Sequence, residues 1–478
     1  MLPKESLTGR VLTRFLVALL VFTATACTFL PVSEKAAQDS LAPPDPSIVS
    51  GPQPKPLAPC AWWYGIGGKP TSLQLRFAAE HYNLVVLNSW ETAALRRLRQ
   101  LNPKVKVLVY KDFSSTRNYP GTVDNGVDAP YLPTGLGYAA TEKAHPEWFA
   151  LDTADKRIEW QGYEKHWQMA VWTEAYQRAW TAAVVAEVVH EGWDGVLADN
   201  DFSSMSFYSP AVLKGTADVD ATDRVLRDGF DSFLEIAGDG LQKAGKMLVP
   251  NVSESHLRPG RWTAHSRYDG AMEENFGLRD DGGNGELLTF RGNEWKELRA
   301  QAALGESWLL LVTHTASPRE ERVGYATAAL LAGPYTCWNG AMPDYKNPAW
   351  SQYQEAGLGE AVETANRLSN GLWTRQFSNG WVVVNPTSKP VQVTPPTGLL
   401  DINGAAPTVP FELPGADAKV LVKPKFGPTT PPVKPPTVPT TTTTKPPVPP
   451  KQGEDPAEDS ISPDPGTTPG AAEHTLPS

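Results

Sequence analysis

Two groups of acidic residues stand where apolar, strand-forming runs end. In "GWDGVLADND", residues 192 to 201, the run Val196-Leu197-Ala198 stops at Asp199, Asn200 and Asp201. In "YDGAMEENF", residues 268 to 276, Ala271 and Met272 run into Glu273, Glu274 and Asn275. Two carboxyl groups facing each other across a cleft are what glycosidic bond cleavage requires. One protonates the leaving oxygen, and the other attacks the sugar or activates water against an oxocarbenium-like transition state. Strand alternation lets only one of the adjacent pair Glu273 and Glu274 face such a cleft. Asp201, two residues beyond Asp199, falls on the same side of an ideal strand and is a candidate substrate contact.

For these acids to meet, their strands must be neighbours in one sheet. Eight β-prone runs alternate with amphipathic stretches: 61 to 66, 83 to 89, 106 to 113, 195 to 201, 246 to 253, 268 to 276, 308 to 315 and 334 to 340. Helical period occupies 71 to 81, 90 to 101, 173 to 192, 222 to 245, 293 to 306, 319 to 333 and 355 to 369, with apolar residues at i, i+3, i+4 and i+7. The link between the fifth and sixth strands has little helical period. Eight strands alternating with helices over roughly 300 residues predict an α/β fold of the (β/α)8 TIM-barrel type, with a doubly wound open sheet as the alternative.

Such barrels carry their sites at the C-terminal ends of the strands. The candidates there are Trp62, Trp63 and Tyr64 on the first strand, Asn88 on the second, and Lys111 and Asp112 on the third. Asn251 ends the fifth, His314 the seventh, and Trp338 and Asn339 the eighth. Aromatic faces suit sugar rings, and amides suit hydroxyls. The aromatic-rich stretch 114 to 172 is expected to lie over the mouth as a substrate-facing loop.

Other chemistries find little support. The 8 His include no His-x-His strand pair and no His-Glu-x-x-His, so no metal site is expected. No Gly-x-Ser-x-Gly elbow occurs, and "GIGGKPTS" lacks Walker spacing, so no cofactor is expected. A net charge of -10 without a basic stripe argues against a nucleic-acid partner.

The ends of the chain differ from its middle. Lys4, Arg10 and Arg14 precede "FLVALLVFTATAC", an apolar run suited to an export signal and too short for a mature spanning helix. Ala24-Thr25-Ala26-Cys27 resembles a lipoprotein cleavage box, which makes Cys27 a lipidation candidate. The membrane contact expected is therefore a lipid anchor, on the outer face of the cell membrane, with full secretion as the alternative. Residues 28 to 58 read as a flexible linker, and the Pro/Thr-rich residues 425 to 478 cannot bury enough apolar surface to order themselves. Between them lie the barrel, 59 to 371, and a stretch of period 2 with turn residues, 372 to 424, which predicts a small antiparallel β domain. The remaining cysteines are Cys60, just before the first strand, and Cys337, within the last, and these two strands are neighbours in a barrel. That placement suggests a disulfide.

"HPEWFALDTADKRIEW", the "AYQRAW" helix, "GWDGVLADND", "YDGAMEENF" and "TRQFSNGWVVVNPTSKPVQV" together resemble the bacterial barrels of the hypothetical glycosyl hydrolase family fifteen group, over residues 60 to 424. That group is similar, more distantly, to α-galactosidase and polygalactosaminidase barrels. The resemblance implies Asp199 as nucleophile and Glu274 as general acid/base, with Glu273 the alternative. It implies a glycosidase acting on an extracellular or cell-surface polysaccharide. A non-catalytic carbohydrate-binding or wall-associated barrel is the rival expectation, since a fold alone does not establish activity.

Overall fold

The computed structural model describes residues 57–62, 69–280, 283–341 and 350–424, all within one compact unit. The expected export signal, Cys27, nearly all of the expected linker, Trp63, Tyr64 and the Pro/Thr-rich tail lie outside the described residues. For Trp62 only the strand backbone is described.

Eight parallel strands form a closed ring. They are β1 (Ala58–Trp62), β2 (Leu84–Leu87), β3 (Lys106–Asp112), β4 (Gly195–Asp201), β5 (Met247–Val252), β6 (Gly270–Glu273), β7 (Trp308–His314) and β8 (Thr336–Ala341). Each pairs with its sequence neighbours, and β1 pairs with both β2 and β8. The open doubly wound alternative is therefore set aside. β1 begins three residues earlier than its aromatic run suggested.

The interior is filled by alternate residues of the strands. Val86, Tyr110, Leu197, Val249, Met272, Val312, Cys60 and Cys337 belong to one buried cluster, while the opposite faces of the same strands meet the helices. Cys60 and Cys337 are bonded as a disulfide inside the barrel, with their Cα atoms 5.5 Å apart.

Helices α1 (Ser72–His81), α2 (Thr92–Leu101), α3 (Glu174–Glu191), α4 (Val219–Lys243), α5 (Arg261–His265), α6 (Glu294–Leu304) and α7 (Pro318–Leu330) follow strands one to seven. Their ends are written in the sequence. Thr71 and Gln74 form a capping box on α1, as do Ser317 and Glu320 on α7, where Pro318 takes the first turn. Gly192 ends α3 in the left-handed region at φ 84° and turns the chain into β4. The weak helical period between β5 and β6 gives only the five-residue α5.

The helix expected over 355 to 369 does not form. Only Gln352–Glu355 is helical, as a 3-10 turn, and Gly357 and Gly359 then take φ of 73° and 75°, which no continuing α-helix accommodates.

The β-rich region after the barrel is an antiparallel sheet containing β9 (Trp373–Phe377), β10 (Gly380–Asn385) and β11 (Asp417–Val422). It is not an independent appendage. Val323, Tyr325 and Ala326 of α7 share one apolar cluster with Trp373, Phe377, Val382, Val384, Val420 and Val422. Arg322 grips Asp417 through two nitrogens, and Nη1 of Arg375 donates to the carbonyls of Ala329, Leu330 and Ala332 at the end of α7.

Candidate active site

The alternation that buries the interior cluster aims the next inward residue of each strand at the C-terminal mouth. Two positions beyond Leu197, Val249, Met272 and Val312 stand Asp199, Asn251, Glu274 and His314. These four converge. Asn251 Nδ2 donates to Asp199 Oδ1 at 2.8 Å and to Glu274 Oε2 at 2.6 Å. His314 Nε2 lies 4.0 Å from Glu274 Oε1. Because both bonds share one nitrogen, the Asp199 and Glu274 carboxyl groups are close neighbours at the mouth.

The two acids occupy different environments. Asp199 is buried at 6% exposure, whereas the Glu274 side chain keeps 25% and reaches the open mouth. Asp199 Oδ2 accepts from the hydroxyl of Tyr110 at 2.7 Å. Burial, reinforced by the charge of Glu274, pushes the Asp199 carboxyl up to about 7, against the opposing hydrogen bonds from Asn251 and Tyr110.

Glu273 points the other way. It ends β6 on the outer face, where Oε2 accepts from Ser255 at 3.2 Å and its charge faces the buried Glu294, whose carboxyl burial and Glu273 together hold well above the usual range. Of the adjacent pair, Glu274 is the one that meets Asp199.

Asp201 departs from the expected geometry. An irregularity in the β4–β5 pairing between Ala198 and Asp201 coincides with Asn200 at φ 69°, so the side-chain alternation is broken there. Asp201 is fully buried, held by Arg261 Nη2 at 2.5 Å and by His265 Nδ1 at 2.5 Å, while His265 Nε2 meets Asp231 at 2.8 Å. It is a structural anchor and not a substrate contact.

Three other candidates are held by partners within the protein. Lys111 faces the helices, fully buried, and donates to Glu187 Oε2 at 2.6 Å and to the Leu132 carbonyl at 2.7 Å. Asp112 caps a turn, accepting from the backbone of Ser114 and Ser115 at 2.9 and 2.8 Å and pairing with Arg117 at 2.8 Å. Trp338 packs among the outer core and donates to Thr313 Oγ1 at 3.0 Å. Asn88 and Asn339 are inward and buried. Nδ2 of Asn88 and both amide atoms of Asn339 have no hydrogen-bond partner among the described residues.

The aromatics of the stretch 114 to 172 divide into two sets, with Tyr119, Tyr131, Tyr138, Trp167 and Trp172 left partly exposed. Trp148, Phe149, Trp160 and Tyr163 are buried in the core it shares with α3 and α4, and Trp160 stacks on Tyr208 at 3.8 Å between ring centres. The stretch also contributes a residue that sequence reasoning missed. Arg117, on a short strand Ser115–Arg117 paired with His166–Gln168, donates through Nη2 to the Tyr110 hydroxyl at 3.0 Å. Tyr110 itself was findable, being the inward residue two before Asp112. Nothing local marks Arg117.

A closed parallel barrel that brings two carboxyl groups together at its C-terminal mouth has the architecture of a barrel-type glycoside hydrolase. Residues 99–381 match the family model described as hypothetical glycosyl hydrolase family 15, and the chain belongs to that family. No curated protein matches the sequence.

Among solved structures, the chain is similar to a cycloalternan-degrading enzyme from Trueperella pyogenes, with 10% identity, TM-score 0.38, and coverage of 79% of this chain and 62% of that one. It is similar to a maltogenic alpha-amylase from Thermotoga neapolitana at 12% identity and TM-score 0.41, covering 78% and 99%. An alpha-L-fucosidase isoenzyme from Paenibacillus thiaminolyticus matches at 13% identity and TM-score 0.40, covering 63% and 48%. The chain thus spans less than two thirds of the length of the cycloalternan-degrading enzyme.

Proposed function

We propose that the protein is a retaining glycoside hydrolase, exported and lipid-anchored at Cys27, that cleaves O-glycosidic bonds of an extracellular or cell-surface polysaccharide. The observation that carries this reading is the single Asn251 amide hydrogen-bonded to Asp199 and Glu274 together. Two carboxyl groups joined through one amide favour the close spacing of a covalent glycosyl intermediate over the wider gap that an inverting reaction needs for its water.

Asp199, deep and held by two donors, is the nucleophile. Glu274, half-exposed and beside His314, is the acid/base. In the form of the pair whose shared proton sits on Glu274, that proton passes to the glycosidic oxygen as Asp199 attacks the anomeric carbon, and the bond from that carbon to the leaving oxygen breaks. Water then enters, Glu274 takes one of its protons, and the oxygen displaces Asp199 to release the sugar with its original anomeric configuration.

The test is a panel of bacterial surface polysaccharides incubated with the full chain and with Asp199→Asn. Release of reducing sugar by the former and its loss in the latter is expected, with the first-formed anomer read by proton NMR. Full activity in Asp199→Asn, or an inverted first product, overturns the reading. Glycan binding without turnover by the unaltered chain supports the carbohydrate-binding rival.

A further inference from the structure

We propose that Arg117 and Tyr110 are positioning residues, a two-link relay that locks the Asp199 carboxylate in one orientation toward the anomeric carbon. The proposal rests on the reading of Asp199 as nucleophile. Its starting point is a guanidinium that is almost wholly buried, with 2% of its side chain exposed, and that spends one nitrogen on two partners: Asp112 Oδ2 at 2.8 Å and the Tyr110 hydroxyl at 3.0 Å.

Arginine has only donors. The Tyr110 oxygen is therefore the acceptor in its contact with Arg117, and its single hydrogen goes to Asp199 Oδ2 at 2.7 Å. Asn251 meanwhile holds Oδ1 from β5. Two donors from two different strands fix both oxygens, so the carboxylate plane cannot turn about its own bond without breaking one of them. The relay is anchored in backbone, because Asp112 is itself held by the N–H groups of Ser114 and Ser115 and by the Ser115 hydroxyl at 2.6 Å.

Preorganised donors matter most where charge appears or disappears during reaction. The Asp199 charge is consumed when the glycosyl ester forms and returns when water displaces it. A hydrogen bond donated by Tyr110, whose oxygen is polarised by Arg117, favours that returning charge, so the relay serves the second half of the reaction above all. Among the described residues, the ionisable and charged groups around Asp199 are Tyr110 and Asp112 on β3, Arg117 beyond it, Tyr208 after β4, and Glu274 just past the end of β6 with His314 behind it.

The experiment uses the full chain carrying carbon-13 at the aspartate carboxyls, with Asp199→Asn assigning the resonance, and compares it with Tyr110→Phe and Arg117→Met. Both variants are expected to move the Asp199 titration to higher pH. On a panel of 4-nitrophenyl glycosides, Tyr110→Phe should lower kcat by about ten- to a hundredfold with KM unchanged or lower, because Tyr110 touches the nucleophile and not the sugar. The acid limb of the pH profile should move upward in step.

A titration unmoved in folded Tyr110→Phe overturns the relay, even if the protein hydrolyses glycosides. A titration that moves in a protein that cleaves none of the glycosides upholds the relay's grip on Asp199 and removes its catalytic meaning. Near-ultraviolet circular dichroism checks the fold. Should Arg117→Met fail to fold, Tyr110→Phe, which removes one oxygen, decides alone.

Discussion

Asp199 on the fourth strand of the barrel and Glu274, the residue after the sixth, are joined through one amide group of Asn251, which donates to both. Asn251→Leu should therefore separate two acids that now act as a pair. A hydrogen bond to a charged group contributes about 1.5–3 kcal/mol, so a loss of about ten- to a hundredfold or more in kcat/KM is expected. Steady-state kinetics on the best glycan substrate measures it, and unchanged kinetics would show that the bridge is incidental.

The pair also sets a pH dependence. Asp199 sits near 7 because of its burial and the neighbouring charge of Glu274, so the acid limb of activity should fall close to neutrality. Glu274→Gln removes the like charge and should move that limb to lower pH. Residual hydrolysis of an aryl glycoside with a good leaving group, which needs little acid assistance, is the assay.

A stability consequence follows with a definite sign. The folded-state pKa of Asp199 lies above its ordinary value of 3.8, so ionising it disfavours the folded state increasingly as pH rises through that window. Asp199→Asn should accordingly stabilise the protein at pH 8 by a few kcal/mol, at about 1.4 kcal/mol per pKa unit, with little gain at pH 4. Urea unfolding at the two pH values tests this. A destabilised variant at pH 8 would contradict it.

The Asp201 anchor behaves oppositely. Burial disfavours charge on both Asp201 and His265, but Arg261 and His265 lower the former's pKa, and Asp201 and Asp231 raise the latter's. The network is thus strongest at mildly acidic pH, weakening as pH falls through the range of Asp201 and again as it rises through that of His265. His265→Ala should cost about 3–5 kcal/mol near pH 6, because it strips a partner from a buried carboxylate. The cost should shrink at alkaline pH, and chemical denaturation across pH 5 to 9 would reveal a flat difference if the ring is not charged.

Arg375, reaching from the antiparallel sheet to three carbonyls at the end of α7, predicts that barrel and sheet unfold as one. Arg375→Ala should lower stability by about 1–3 kcal/mol without a second transition. A chain ending at residue 371 should expose the apolar face of α7 and be insoluble. A soluble, cooperatively melting barrel from that truncation would refute the shared core.

The frame of this fold was readable because period carries it. Val196, Leu197 and Ala198 make a β-prone run that is strand, and the helical periods read from 71 and from 319 lie within two residues of where those helices begin. The inward carboxyl at 274 followed from alternation once Met272 was inside. Alternation failed at Asp201, because a local irregularity with Asn200 in the left-handed region has no signature in residue type. It failed again between 355 and 369, where apolar spacing suited a helix but Gly357 and Gly359 allowed the chain to leave it. Lys111 and Trp338 had chemically suitable side chains, yet their partners lie far away in sequence, such as Glu187 for Lys111. Asp112 was claimed by a local turn, and Arg117 was invisible because the short strand that aims it forms only by pairing with the distant His166–Gln168.

The covalent bond between Cys60 and Cys337 gives the barrel a property that hydrogen bonding alone does not. The first and last strands are adjacent in the ring and also tied to each other, so the backbone between them is a closed loop. One cut anywhere in that loop, including the long excursion after β3, leaves a single covalent molecule whose strands retain all their neighbours. For a protein exposed to proteases, the wall around the two acids would then survive a nick that would divide an unbridged chain in two.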